Sequence, residues 1–536
     1  MSSMKCISIL DCTLRDGGYI NDWEFGHGTI TGVYKRLEAA GVNYIEVGFL
    51  DDRRQFDINR TIMPNTDAVN KVFANVKKGH AIPIAMIDYG TCSIDSIGPA
   101  ESTFIEGIRV IFKKEKIEQA LPFCKSIKEK GYKLFIQAIS ITAYSDMEML
   151  QYVEKINEIK PYAFSIVDTY GLLDNKSMTR YFHLIDDNLD PEIVMGYHDH
   201  NNFQLAYSNT MRFLSMETDR HLVADSSVYG MGKSAGNCAT ELLAMHLNDY
   251  YHKNYNLNEV MEIVDTFMMP IWQKNYWGYK YEFYIAAMQK VHPNFVNYLL
   301  KKKTLSVSSI NEILAAIPEE QKLFFDKKLI EQLYLDYQGN SINDDNVYNS
   351  NFTDMLCNCN ILLLGPGSSI ADNSEDIMKT IEKDKPVVLS VNFYPKEFPV
   401  DCVFMSNNKR YAFLADYLGE DAKINAKFIA TSNVHIVDLK PDYTLNFESL
   451  LIPQLENTDN ALILLLSFLV KAGVKAVSLA GFDGYKVNEH NYYRKGYEVA
   501  VENSDNIKRN ATMSNALSFF KDKLLISFIT PTQYSI

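Results

Sequence analysis

Two histidines one residue apart, His198 and His200, lie in Tyr197-His198-Asp199-His200-Asn201-Asn202. On a strand that spacing sends both imidazoles to the same face. Two other segments are dense in polar groups: Asp11-Cys12-Thr13-Leu14-Arg15-Asp16-Gly17-Gly18 near the start, and Asp225 to Asn237, which contains Gly230-Met231-Gly232-Lys233-Ser234-Ala235-Gly236-Asn237. Paired imidazoles joined by a carboxylate make a metal site with room left for water or substrate. That ligand set suits Mn2+, Mg2+, Zn2+ or Fe2+ without choosing among them. A cation so held acts as a Lewis acid on a carbonyl oxygen. An isolated H-x-H pair is more often a solvated or hydrogen-bonded pair, and the two flanking polar clusters tip the reading towards a metal.

For these segments to meet, the chain must bring them to one end of one sheet. Short apolar, β-branched runs recur through the first half at 6–11, 44–49, 83–88, 107–112, 133–138, 163–168, 194–199 and 221–227. Between most of them lie stretches of helical period such as 29–41 and 148–160. Continuously apolar strands alternating with helices imply a parallel sheet, and eight such units in about 230 residues fit a closed (β/α)8 barrel better than an open sheet. The three polar segments then end strands one, seven and eight, which are neighbours in a closed barrel, on the face where such barrels place their chemistry.

Thr-Leu-Arg-Asp-Gly after strand one, H-x-H on strand seven and G-x-G-x-x-x-G-N after strand eight together resemble the DRE-TIM metallolyase superfamily, over roughly residues 5–295. That group includes HMG-CoA lyase, isopropylmalate and homocitrate synthases, and 4-hydroxy-2-oxovalerate aldolase. The resemblance implies a metal-dependent aldolase or lyase working beside a 2-oxo acid such as pyruvate through a metal-stabilised enolate. It makes Asp16, His198 and His200 ligands of one divalent cation (Mn2+, Mg2+ or Zn2+), has Asn237 complete or support the site, and sets Arg15 against the enolate oxygen. Glu46, at the end of strand two, is expected to orient Arg15 or a metal-bound water; Gly17 and Thr169 are expected to line the substrate pocket. Bacterial oxovalerate aldolases place a histidine just after the aspartate-glycine pair. Here Tyr19 stands near that place, so the base is left open between Tyr19, His27 and another group, since a phenol near pKa ~10 is a poor base unless tuned. The stretch Trp277-Gly278-Tyr279 is similar to an extension with which these aldolases line the site and contact a partner dehydrogenase that receives the aldehyde.

The rest of the chain of 536 residues divides, on this reading, into a barrel with a helical extension (1–300, the extension from about 240), a linker (301–355) and a Rossmann-like α/β domain (356–536). In the last, 361–369, 386–392, 402–407, 427–431, 434–439 and 474–483 read as strands. Gly365, Gly367 and Ser368 form a turn that could cradle phosphate, and with Asn392 and Asp483 they loosely resemble a group containing bacterial sialyltransferases and pterin pyrophosphokinase-like proteins. That resemblance implies a nucleotide. Two other activities follow from these parts: a Claisen-type acyltransferase using acyl-CoA, or a bifunctional protein of surface polysaccharide assembly. The net charge of −14 argues against a nucleic-acid surface. The apolar runs are too short for a membrane span, and no signal peptide is recognisable in the first residues. Eight scattered cysteines suit a reducing compartment. A cytoplasmic protein is therefore expected, and the resemblance implies that the barrel forms a homo-oligomer.

Overall fold

The computed structural model describes residues 6–302, 304–339, 342–418, 426–436, 439–455, 459–486, 491–494 and 503–535, the side chains of 503–505 excepted. The chain forms two compact units, 1–297 with 319–325, and 298–318 with 326–536.

The first unit is a parallel eight-strand barrel: β1 (Ile7–Asp11), β2 (Tyr44–Leu50), β3 (Ile82–Asp88), β4 (Gly107–Ile111), β5 (Lys133–Ala138), β6 (Ala163–Asp168), β7 (Val194–Asp199) and β8 (Leu222–Ser226). Each strand pairs with the next, and β1 pairs with both β2 and β8, closing the ring. A two-residue strand, Ile62–Met63, adds to the edge of β2. These are the eight runs read from the sequence.

Period-two alternation sorts the strand residues. One set, including Ile9, Ile45, Val47, Ile87 and Val110, packs outward against the helices. Those helices carry the matching period: His27–Ala40 buries Ile30, Val33, Tyr34, Leu37 and Ala40, and Asp146–Ile159 is started by a capping box between Ser145 and Glu148. The other set points into the lumen. Its lowest layer is apolar, built by Leu10, Tyr44, Ile84, Phe135, Ala163, Val194 and Val223. Two residues further along three of these strands, or one layer up β4 from Gly107, the lumen becomes polar: Glu46, Arg109, Gln137 and Asp225, all buried. The apolar layer closes the bottom of the barrel and forces its polar chemistry to the top.

After β8 come helices Thr240–Tyr251, Leu257–Ile263, Met269–Trp272, Tyr281–Met288 and Pro293–Lys302, so the 240–300 region is helical. The stretch 301–355, expected as a linker, carries helices Val307–Ala315, Lys327–Gln338 and Asp345–Tyr348. It is structured because its apolar residues recur at helical spacing: Ile310, Ile313, Leu314, Ile330 and Tyr334 are buried.

The second unit holds a seven-stranded parallel sheet: β9 (Ile361–Leu364), β10 (Val387–Val391), β11 (Cys402–Met405), β12 (Lys427–Thr431), β13 (Tyr443–Leu445), β14 (Ala476–Ala480) and β15 (Leu525–Phe528). The order is β13-β12-β11-β10-β9-β14-β15. Alternate residues of β9 feed two separate cores, Ile361 and Leu363 one, Leu362 and Leu364 the other, so both faces of the sheet are covered. The 434–439 run is not a strand where it is described; residues 434–436 and 439 are irregular and 437–438 lie outside the described residues. The adjacent strand is β13, in a segment whose mixture of Asp442, Tyr443 and Thr444 gave little apolar signal.

Candidate functional site

At the top of the barrel the loop after β8 is laced to the ends of β1 and β7. Thr13 Oγ1 accepts from Val228 N at 2.8 Å, and Thr240 Oγ1 donates to Asp11 Oδ2 at 2.7 Å. Asn201 N donates to Gly236 O at 2.8 Å, Ala235 N donates to Asn202 Oδ1 at 3.2 Å, and His200 bridges to Asn237. Gly232 allows the closest approach: a Cβ there would lie 2.4 Å from Asn237 Nδ2 and 2.5 Å from Asp16 Oδ2. The helical extension braces the same loop, because Trp277 Nε1 donates to Tyr229 O at 2.9 Å.

This lacing gathers Asp16, His198 and His200, whose ligand atoms all lie within 4.8 Å of one another. Their exposures are 1%, 2% and 4%. His198 Nδ1 is held by Asp225 Oδ2 at 3.0 Å, which turns its other ring nitrogen to the cluster. Burial drives the His200 imidazole down to about 3, so at neutral pH it is uncharged and its lone pair is available. Burial alone would raise the Asp16 carboxyl, but Arg15 and the two imidazoles prevail and hold it well below the usual carboxylate range. Asp16 Oδ2 accepts from Asn237 Nδ2 at 2.8 Å and from Lys233 N at 3.0 Å.

The donor set fits a divalent cation. His200 Nδ1 and Asn237 Oδ1 are buried without a hydrogen-bond partner, which is costly unless something else occupies them. Imidazole nitrogens and an ionised carboxylate are the donors such an ion prefers. Arg15 lies alongside, its Nε donating to Glu46 Oε2 at 2.7 Å and its Nη1 to Asp16. Its Nη2 is buried and unpaired, a donor left for a substrate oxygen.

Sequence reasoning did not assign a role to Arg109 or Asp225. Arg109 is 0% exposed; it donates to Asp225 Oδ2 at 2.6 Å and to Glu46 Oε2 at 3.3 Å. A chain of charges therefore runs Arg15–Glu46–Arg109–Asp225 around the lumen and ends in the hydrogen bond to His198. The signal was present: a single arginine inside the otherwise apolar GIRVI strand, at lumen parity, demands a partner.

The remaining expected residues fall as follows. Gly17 is buried, its N donating to Thr13 O at 3.0 Å. Thr169 Oγ1 accepts from Ser140 N at 2.7 Å, joining the loops after β5 and β6. His27 starts its helix, with Nε2 2.8 Å from Val72 O, and is not in the cluster. Tyr19 lies at the mouth of the site, where Lys233, Lys280 and His292 join it around a cavity of about 280 Å3. Crowding by protein pushes the Tyr19 phenol up to about 12, so at neutral pH it is a donor. His292 also donates through Nε2, because its Nδ1 accepts from Asn294 N at 3.1 Å; burial and two lysines lower it to about 4.

In the second unit, Gly365, Gly367, Ser368 and Asp483 do not form a phosphate cradle. Gly365 N donates to Ala480 O at 2.8 Å and Gly367 N to Gly481 O at 2.9 Å, while Ser369 N and the Ser368 and Ser369 hydroxyls donate to Asp483. The Gly365, Gly367 and Ser369 amides are thus committed inside the protein. The glycines are needed because a Cβ on either would lie 2.5 Å from Gly481 O.

Residues 6–267 match the family model described as HMGL-like. Over 282 residues the chain is 26% identical to a 4-hydroxy-2-oxovalerate aldolase of Geobacillus thermodenitrificans, covering 51% of this chain and 79% of that protein. Over 248 residues it is 25% identical to an oxaloacetate decarboxylase of Mycobacterium tuberculosis, covering 46% and 70%. A solved structure, the N-terminal domain of a candidate aldolase from Bacteroides vulgatus, is 23% identical with a TM-score of 0.47, covering 57% of this chain and 99% of that one; the barrel assignment rests on the strand order and not on this likeness. The polar rim of that barrel and the family match coincide, and residues 6–267 are an HMGL-like domain of the DRE-TIM type.

Proposed function

We propose that the barrel is a divalent-metal-dependent carbon–carbon lyase that cleaves the C3–C4 bond of a 2-oxo acid and leaves pyruvate. The observation that carries this is the meeting of Asp16, His198 and His200 within 4.8 Å beside the unpaired Arg15 Nη2. An ion in that site would supply Lewis acidity at the keto oxygen and lower the cost of an enolate. Arg15, always charged, holds the same developing oxyanion through its free N–H. Glu46 keeps Arg15 in place, and Asp225 keeps His198 in the tautomer a ligand needs.

Two substrates share this step, in which the C3–C4 electrons pass to an enolate that then takes up a proton at C3 to become pyruvate, and they differ in what departs. From a 4-hydroxy-2-oxo acid the C4 hydroxyl loses its proton, the C3–C4 electrons pass to the enolate, and an aldehyde leaves. From oxaloacetate the departing group is CO2, and no base is required. The likeness to 4-hydroxy-2-oxovalerate aldolases supports the first. The second is favoured by the mouth, where Tyr19, Lys233, Lys280 and His292 present donors rather than a tuned base, and by the decarboxylase relative.

The test is pyruvate release by the full chain, reloaded in turn with Mn2+, Mg2+ and Zn2+, from 4-hydroxy-2-oxo acids and from oxaloacetate. Metal-dependent pyruvate formation that disappears on chelation and in His198→Ala is expected. A chain that takes up no divalent cation and forms no pyruvate from any of these acids refutes the proposal.

A further inference from the structure

The seven-stranded sheet has its own cleft. Strands β10 to β13 follow β9 in one direction, and β14 and β15 lie on its other side, so crossovers leave β9 and β14 in opposite senses. In open parallel sheets a crevice opens at that switch, outside the strands' carboxyl ends. Here a cavity of about 310 Å3 lies there, lined from the ends of β9 (Pro366, Gly367), β10 (Asn392), β11 (Ser406) and β14 (Gly481). That volume is in the range of small-ligand clefts.

Three observations say what the cleft would take. First, among the described residues that line it the cations Lys301, Lys302, Arg410 and Arg509 outnumber the acids Asp459 and Asp483, and Asp483 is spent on the serines of the 368–369 turn. Second, both arginines rest on tyrosine faces: Arg410 is 5.4 Å from the Tyr492 ring and Arg509 5.4 Å from the Tyr485 ring. The two tyrosine hydroxyls are 3.4 Å apart, which links the four side chains into one aromatic and cationic wall. Third, the Ser406 hydroxyl, on a residue 3% exposed, has no hydrogen-bond partner among the described residues. Its neighbour Asn392 is held at a positive φ of 59°, its Oδ1 accepting from Ser406 N at 3.0 Å. A buried hydroxyl without a partner at the strand ends is a place for a polar ligand atom.

We propose that this cleft binds a nucleoside phosphate, recognised by side chains and not by the glycine turn. Arginine guanidiniums match phosphate oxygens, a planar guanidinium backed by a tyrosine ring also suits stacking with a planar base, and Ser406 and Asn392 offer polar contacts to the sugar or base edge. A free polyphosphate shares only the first of these recognitions.

The experiment is calorimetric titration of the full chain with CMP, UDP, ADP and GDP, with inorganic pyrophosphate and the free nucleosides as separate arms. At least one nucleotide is expected to bind saturably, one per chain, and more tightly than pyrophosphate or its own nucleoside. Arg410→Gln and Arg509→Gln are each expected to weaken it about tenfold or more. Ser406→Ala, a substitution too small to unfold the sheet, is expected to weaken it severalfold. Thermal melting of each variant separates lost binding from lost folding. The proposal is overturned if no nucleotide binds at millimolar concentration, if pyrophosphate binds as tightly as every nucleotide, or if the three variants, folded, bind as the natural chain does.

Discussion

Asp225→Asn tests whether the lumen charges position the metal ligands. Asp225 Oδ2 accepts from both His198 Nδ1, at 3.0 Å, and Arg109 Nη2, at 2.6 Å. The carboxylate thereby fixes which imidazole nitrogen carries the proton. An asparagine keeps one oxygen for these two contacts, but it removes the negative charge that Arg109 and the His198 N–H face and puts an N–H donor at the buried position of Asp225 Oδ1, which has no hydrogen-bond partner among the described residues. Loss of such a supporting partner typically weakens metal binding about 10- to 100-fold, or about 1.4–2.7 kcal/mol. The substitution also leaves Arg109 with Glu46 as its charged partner, and breaking a buried pair costs roughly 3–5 kcal/mol of stability. The two effects are separable: thermal melting reports the second, and calorimetric Mn2+ or Zn2+ binding to protein shown folded by circular dichroism reports the first. Arg109→Met is the control, since it should cost stability while leaving the Asp225–His198 contact and most of the affinity. If folded Asp225→Asn binds the ion within about threefold of the natural chain, the positioning argument is wrong.

Three further expectations follow from the same contacts. Arg15→Lys should retain the metal yet lower kcat about 100- to 1,000-fold, because the single nitrogen of an ammonium cannot place its N–H groups where the planar guanidinium places Nε on Glu46, Nη1 on Asp16 and Nη2 towards the substrate; equal kcat in the variant would dismiss Arg15 from enolate stabilisation. Gly232→Ala should abolish metal uptake at a modest loss of melting temperature, as its methyl would sit 2.5 Å from Asp16 Oδ2; metal content by elemental analysis decides this. Asp11, fully buried, has its carboxyl raised by desolvation to about 6 from 3.8. Between those values the folded chain keeps a proton the unfolded chain has lost, so this group's contribution falls as pH rises through the window and is constant above it, by roughly 3 kcal/mol in all. Asp11→Asn should therefore flatten the decline in urea midpoint between about pH 4 and pH 6, and an unchanged pH profile would show that the residue is ionised in the folded protein.

What the sequence made legible was whatever periodicity and spacing encode. Eight strand runs and the H-x-H pair came through because strand parity alone sets which side chains share a face. The same parity placed Arg109 in the lumen, but its partners Glu46 and Asp225 lie 63 and 116 residues away, and no local pattern reports a pairing made by barrel closure. His27 and Tyr19 show the converse limit. Both are close in sequence to Asp16, yet the helix starting at His27 carries its ring to Val72 O, while Tyr19 packs edge-on to Trp23 with ring centroids 4.8 Å apart and stays near the mouth. Proximity along the chain says little where an αL residue such as Asp22, with φ of 53°, reverses the path between them.

The glycine turn of the second unit carries the most general lesson. A strand followed by Gly-Pro-Gly-Ser-Ser looks like a phosphate loop because glycines free backbone amides. Here the same residues are small for a different reason: two loops, after β9 and β14, meet backbone to backbone, and their amides and carbonyls satisfy each other. Composition cannot distinguish an amide freed for a ligand from one freed for a neighbouring strand's carbonyl. The hydrogen-bond partners can: they commit the Gly365 and Gly367 amides inside the protein, and the proposed nucleotide site rests instead on Arg410 and Arg509. The crevice itself is set by strand order, which opens it between β9 and β14 whichever groups line it.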